Sequence, residues 1–263
     1  MPSKYLKLND KKWLEEYYLE KRLSTKEIAK IVGAKQSNSV RQALLRLDIP
    51  IRNQREAQVK NEIQGVELDT SFIDGGLLGD AYLGIHNKFS KISQPYYCRK
   101  QKHKEYIDWC SRNLPSIPFS VSKEKGKLGD SFFLRTLSSP IFRSFFERWY
   151  PEKNQYKKCV PRDLAFDAKT LLVWFLDDGS TTWRTGRRKG QVLLSFSSES
   201  FSKEDNEFLV EGFNKEFDLN MSVRKCNSGT GWRSWVSQSK VKDFFSIIGD
   251  HPVECYRYKW KIG

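Results

Sequence analysis

Long apolar runs are missing from this chain of 263 residues, and no stretch approaches the roughly 18 residues that a membrane-crossing helix needs. The polar start, MPSKYLKLND, does not read as a secretion signal. These two absences predict a protein of the cytoplasm or an organelle, with no membrane partner. Zinc ligands are also scarce. The five cysteines (Cys98, Cys110, Cys159, Cys226, Cys255) form no CxxC pair, and only His86, His103 and His251 could join them, which argues against a structural zinc site. An odd cysteine count without a signal peptide favours reduced thiols, so any metal should be a hard cation held by oxygen. Negative charge is in deficit too. Asp and Glu number 32 against 46 Lys and Arg, a net +14, which suits a polyanionic partner whose counterions basic side chains would release. What is present is enough for a packed core: 38% hydrophobic and 30% charged residues argue against bulk disorder.

Residues 10–50 read as three short helices. Asp10 is placed to cap the first, which repeats Trp13, Leu14, Tyr17 and Tyr18 at helical spacing. Ser24 and Glu27 have the spacing of a capping box ahead of Ile28, Ala29 and Val32, and Gly33 permits a sharp turn. The third helix, about Ser37 to Leu47, buries Val40, Leu44 and Leu47 and turns Ser37, Asn38, Ser39, Arg41, Gln42 and Arg46 outward. The segment resembles a helix-turn-helix module, which makes Ser37, Asn38, Ser39, Arg41 and Gln42 the expected DNA-reading residues. Residues 1–60 carry 14 Lys/Arg against 7 Asp/Glu, in keeping with that reading. The expected domain is 1–52, followed by a polar linker over 53–68; Arg52, Arg55 and Lys60 are positioned to lie along DNA.

The remainder, 69–263, reads as an internal duplication with units of about 69–158 and 159–263. Phe72–Asp80 and Leu171–Asp178 are apolar segments ending in an acid, with the two acids 98 residues apart. Ser120-Val121-Ser122-Lys123 answers Ser222-Val223-Arg224-Lys225 at an offset of 102, Phe145-Phe146 answers Phe244-Phe245 at 99, and Tyr156-Lys157 answers Tyr258-Lys259 at 102. Between them lie alternating stretches such as Gln191–Phe196 and Trp232–Ser237, which suit antiparallel strands with one polar face. The expected architecture is mixed α/β, each unit running α-β-β-α-β-β-α, with pseudo-twofold symmetry.

The segments Ile73-Asp74-Gly75-Gly76-Leu77-Leu78-Gly79-Asp80-Ala81 and Leu171-Leu172-Val173-Trp174-Phe175-Leu176-Asp177-Asp178-Gly179 resemble the two signature helices of LAGLIDADG homing endonucleases. The resemblance covers 69–263 and implies a monomeric enzyme that makes double-strand breaks in double-stranded DNA with Mg²⁺ or Mn²⁺. It assigns catalysis and metal binding to the eighth motif residues, Asp80 and Asp178, with the carbonyls of Gly79 and Asp177 as further metal ligands. An acid at a helix C-terminus lies beside unsatisfied carbonyls, a setting that attracts a cation. The symmetric pairs Lys123 with Lys225 and Lys157 with Lys259 are candidates for orienting water or stabilising the leaving oxygen. The resemblance also places Arg99, Lys100, Gln101, Arg135, Arg224, Arg233 and Gln238 on strand faces that read DNA. The basic loop with Arg184, Arg187 and Arg188 would grip phosphate. The motifs depart from the pattern at Ala81, and Val173 and Asp177 stand where the first motif has Gly75 and Gly79, so the two helices should pack asymmetrically. Two other readings share the fold: a maturase acting on intron RNA, and a DNA-binding regulator that does not cleave.

Overall fold

The computed structural model describes residues 4–21, 23–51, 67–86, 93–114, 117–126, 129–152, 155–184, 190–226, 229 and 231–261. Two separate hydrophobic clusters organise them, one within 4–51 and one from Leu68 onward.

In the first, α1 (Lys11–Glu15) continues through a π-helical turn, and Asp10 caps it by accepting from the Trp13 N–H at 3.1 Å. The helix α2 (Thr25–Ile31) starts with both halves of a capping box, Glu27 N–H to Ser24 Oγ and Ser24 N–H to Glu27. Gly33 then adopts a left-handed φ of +70°, which a glycine enters without steric cost, and the chain turns into α3 (Asn38–Arg46). Leu14, Tyr18, Ile28, Ala29, Val40, Ala43 and Leu44 form the small core. Asn38, Arg41 and Gln42 face solvent, and Ser37 and Ser39 are half-buried. Arg46 is exposed as expected, and its guanidinium also donates to the Leu8 carbonyl and to Asn9 Oδ1, both at 2.8 Å, which ties α3 to the start of the chain.

The second cluster has the duplicated order in full. The first unit runs α4 (Thr70–Leu78), β1 (Tyr82–Gly84), β2 (Tyr96–Gln101), α5 (Lys104–Arg112), β3 (Phe119–Gly126), β4 (Gly129–Thr136) and α6 (Arg143–Trp149). The second runs α7 (Ala168–Asp178), β5 (Gly179–Trp183), β6 (Val192–Phe196), α8 (Lys203–Phe217), β7 (Ser222–Lys225), β8 (Trp232–Val236) and α9 (Val241–Ile248). Each unit forms one antiparallel sheet, ordered β1-β2-β4-β3 and β5-β6-β8-β7. The mixed α/β expectation and the pseudo-twofold repeat therefore match the structure. Registers also correspond: Arg135 sits opposite Cys98 and Ser120, as Trp235 sits opposite Ser195 and Ser222. By that register Arg99 and Phe196 occupy equivalent sites.

The helices α4 and α7 cross at the centre of the molecule, and glycine lets them approach. A Cβ on Gly75 would lie 2.7 Å from the Thr170 carbonyl oxygen and 2.9 Å from Val173 Cβ, and one on Gly79 would overlap the side chain of Asp177. At their N-terminal ends the helices exchange partners. Asp69 and Asp167 cap their own helices, accepting from Phe72 N–H and Thr170 N–H, while Ser71 donates to Asp167 and Lys169 pairs with Asp69. Asp74, buried in α4, accepts from Trp149 Nε1 at 2.8 Å and pairs with Arg148 at 3.2 Å. Burial still pushes its carboxyl above the usual carboxylate value.

Gly75→Ala should destabilise the protein by about 1–3 kcal/mol through overpacking of the helix crossing. Urea unfolding of the variant beside the wild type measures it, and an unchanged midpoint would show the crossing to be looser than described.

Candidate active site

The C-terminal ends of the two crossing helices bring the motif acids together by different routes. α7 runs through to Asp178, whereas α4 stops at Leu78 and Asp80 occupies the turn that follows. The backbone N–H of Asp80 donates to Asp177 Oδ2 at 3.2 Å, which fastens one helix end to the other. Gln101, the last residue of β2, donates from Nε2 to Asp80 Oδ2 at 2.6 Å and to Asp177 Oδ1 at 3.4 Å. Its own Oε1 accepts from the Tyr256 hydroxyl at 3.2 Å.

Behind this surface lies a buried layer. Arg99 Nη1 meets Asp177 Oδ1 at 2.7 Å with both side chains fully out of contact with solvent, and the Tyr106 hydroxyl donates to the same oxygen at 2.8 Å. Burial raises the Asp177 carboxyl to about 6, with Asp80 adding to the rise and Arg99 opposing it. Asp178 goes further, to about 8, because burial is joined by the charges of Asp177 and Asp80.

Two lysines close the site from beneath. Lys158 Nζ donates to the carbonyls of Gly79 at 3.2 Å and Ala81 at 3.0 Å. Lys259 Nζ donates to those of Phe175 at 3.0 Å and Leu176 at 2.7 Å. These carbonyls lie at or just past the helix C-termini, where main-chain acceptors outnumber donors, and that of Phe175 also accepts from the Gly179 N–H; each ammonium adds a donor there. Burial lowers both amines to about 8, against the pull of Asp80, Asp177 and Asp178.

The sequence singled out Lys259 but took Lys157 as its counterpart. In the structure it is Lys158 that reaches the acids, 101 residues before Lys259 and inside the range of offsets of the repeat. Lys123 and Lys225 are placed on β3 and β7. Lys123 pairs with Asp130 across the hairpin at 2.5 Å, and Lys225 lies opposite Trp232. Neither is among the groups that perturb the acids.

Of the residues expected to read DNA, Arg99 is corrected outright: it is fully buried and bound to Asp177, so it faces no external ligand. Gln101 belongs to the acid cluster. Lys100 is exposed and pairs with Glu124 at 2.5 Å. Arg135 stacks 3.9 Å over the Tyr96 ring beside His86. Arg224 and Arg233 are cross-strand partners on β7 and β8, and Arg233 also pairs with Glu199. Gln238 opens the short 3-10 turn before α9. The Arg184 N–H bonds the Gln191 carbonyl just beyond β5, while Arg52, Arg55, Lys60, Arg187 and Arg188 lie outside the described residues. Tyr106 and Tyr256 carried no signal in the sequence, since nothing distinguishes a tyrosine that bonds a carboxylate from one that fills a core.

The family model described as the LAGLIDADG DNA endonuclease family matches residues 70–244, which span both motif helices and both sheets. The chain belongs to the LAGLIDADG DNA endonuclease family. It is 26% identical over 249 residues to an uncharacterized protein of Methanocaldococcus jannaschii, covering 93% of each chain. It is 25% identical over 191 residues to a probable intron-encoded endonuclease of Wickerhamomyces canadensis, covering 70% of this chain and 80% of that one. Among solved structures, the homing endonuclease I-WcaI bound to its DNA recognition sequence shares the fold, with a TM-score of 0.64 and 20% identity over 81% of this chain and all of that one. Among the described residues no helix is long and apolar enough to cross a membrane.

The donor set at the helix ends suits a hard divalent cation. It offers the carboxylates of Asp80 and Asp178 and main-chain carbonyls, with no soft ligand, and mutual repulsion among the acids would be relieved by positive charge. Among the described residues no group of three or more His, Cys, Asp or Glu could hold a metal ion, so a cation at this site would rest on the two acids and main-chain carbonyls, with water or phosphate oxygens at the remaining positions. Metal and proton then compete. Asp178 is raised from 3.8 to about 8, so the folded protein holds its proton between those values and a cation must displace it. The rise in melting temperature on adding Mg²⁺ should therefore be larger at about pH 8 than at about pH 5.5. Scanning calorimetry at the two pH values checks this, and an equal rise at both would argue against binding through Asp178.

Proposed function

We propose that this LAGLIDADG protein is a site-specific endonuclease that hydrolyses one phosphodiester bond in each strand of double-stranded DNA. The observation that carries the reading is the meeting of Asp80 and Asp178 at the ends of two crossed helices, with Lys158 half-buried and Lys259 buried beside them. A divalent cation bound there, Mg²⁺ or Mn²⁺, would stabilise charge developing on the phosphate and acidify the attacking water. Asp80 and Asp178 hold that cation through their carboxylates, and the carbonyls of Gly79 and Asp177 lie in sequence beside them. Gln101 fixes the orientation of Asp80. Lys158 and Lys259 supply positive charge near the scissile phosphates from a desolvated position, where an ammonium acts more strongly than at a surface. With amines lowered to about 8, each is also a competent proton donor to a leaving oxygen near neutral pH.

The two sheets would lie along the DNA with Arg135, Arg224 and Arg233 on their strands. The module at 4–51 would add contacts through the exposed face of α3. The net charge of +14 supports a polyanionic partner.

Supercoiled plasmid carrying a site selected from a DNA library should be linearised in Mg²⁺ or Mn²⁺, bound but left intact in Ca²⁺, and untouched in excess EDTA. Asp80→Asn and Asp178→Asn should each abolish linearisation and keep binding; linearisation at the wild-type rate by either would remove that acid from the mechanism. A chain beginning near Leu68 should still cut at high protein concentration, with weaker binding and a shallower dependence on salt. An unchanged salt slope, measured by gel shift, would take the N-terminal module out of the DNA interface.

A further inference from the structure

The two units match element by element, yet at the active site they differ at three coupled positions. In the second unit Trp174 of α7 stacks on Phe196 of β6 with ring centroids 4.0 Å apart, an ordinary apolar contact between helix and sheet. In the first unit the equivalent residues are Gly76 and Arg99. A Cβ at Gly76 would overlap the Arg99 guanidinium, so the glycine is what admits it. Arg99 then extends past α4 to the other unit's helix and meets Asp177, which stands where the first motif has Gly79. The reciprocal gap is filled as well, because Gly79 leaves the space that Asp177 occupies. A glycine opposes a large side chain at both places, and the arginine and the aspartate come from different units.

The Asp177 side chain is fully out of contact with solvent, and both its oxygens are engaged. Oδ1 accepts from Arg99, Tyr106 and Gln101, and Oδ2 accepts from the Asp80 backbone. Stability alone would be served at least as well by an apolar pair of the Trp174–Phe196 kind, since a buried ion pair gains little once desolvation is counted. Here the pair even leaves Arg99 Nη2 buried without a partner. What it does accomplish is local: Asp177 and Gln101 together fasten both the backbone and the carboxylate of Asp80. Asp178 has no equivalent, because Gly79 replaces Asp177 and Ser198 stands at the site of Gln101, its hydroxyl turned to main-chain groups instead.

We propose that Asp177 is a positioning residue for Asp80, not a side-chain metal ligand, so that a residue of the second unit governs the acid of the first and makes the two strand-cleaving centres unequal. The inference rests on the endonuclease reading for its strand assignment, but the buried bridge is testable without cleavage.

Terbium luminescence sensitised by the protein's aromatic residues reports cation binding directly. Asp177→Asn keeps the shape and one of the two acceptor oxygens and should bind terbium within about threefold of wild type, whereas Asp80→Asn should lose about tenfold or more. Equal losses would make Asp177 a ligand and overturn the proposal. Asp177→Asn and Arg99→Met should each melt lower than wild type, and the double variant should recover part of the loss, because neither buried charge is then left alone. Additive losses would show that the two side chains do not act on each other. Single-turnover cleavage with each strand separately end-labelled supplies the readout that a merely structural role would not move. Asp177→Ala should change the ratio of the two strand rate constants by about tenfold or more, with Asp177→Asn, which keeps one of the two acceptor oxygens, falling between Ala and the wild type. Equal slowing of both strands would overturn the crossed assignment. If the wild type cuts nothing in Mg²⁺ or Mn²⁺, the endonuclease reading fails on its own, and the terbium and melting results still decide the role of Asp177.

Discussion

The rest of the molecule depends on how closely α4 and α7 can approach. Two helices that cross with glycine at the contact bring their C-terminal ends within hydrogen-bond reach, and the candidate active site is built at those ends. Gly75 sets the approach against Thr170 and Val173, and Gly79 sets it against Asp177. Everything chemical follows from that distance. Carbonyls at and just past both helix ends face one small volume, acids at the same place repel one another, and two lysines enter to offset both effects. The site is thus a region of electrostatic tension inside an otherwise apolar interface, and the divalent cation proposed above would relieve it.

Symmetry and asymmetry serve different ends in this arrangement. The sheets, their strand order and their registers repeat almost without change, giving two similar surfaces on either side of the crossing. DNA is itself nearly twofold symmetric in its backbone, so a repeated scaffold suits a duplex. The core under each sheet is free to differ, because the pseudo-twofold axis constrains backbones more than side chains. Arg99 and Phe196, or Gly76 and Trp174, fill equivalent spaces with unrelated chemistry. A gene duplication supplies two equal halves, and later substitutions at the contact are what make one chain differ from a symmetric dimer.

Much of this was legible in the sequence because it rests on local rules. The capping residues Asp10 and Ser24, the turn at Gly33 and the duplicated order α-β-β-α-β-β-α follow from spacing that any window of the chain displays. The motif acids were visible because two short patterns recur at matching places. What the sequence concealed was the partner of each charge. Arg99 sits on a strand beside Lys100 and reads as one more basic surface residue; its burial depends on a glycine 23 positions earlier and an aspartate in the other unit. Lys157 and Lys158 are adjacent, and only the path of the chain after α6 decides which of them turns inward. Periodicity identifies faces of elements, but it carries no information on contacts between elements far apart in the chain.

The exchange at the helix starts has a consequence for the integrity of the chain. Ser71 serves the cap of α7 and Lys169 serves that of α4, so each motif helix begins with a group borrowed from its twin. Neither unit, taken by itself, contains all the partners its own helix uses. A nick in the backbone between α6 and α7 would leave two fragments whose most polar helix ends are each incomplete, with the glycine-lined face of α4 and the Val173–Asp177 face of α7 left unpacked. Such halves carry the information to find one another, and the connection between them works as a tether that raises the local concentration of two mutually dependent pieces.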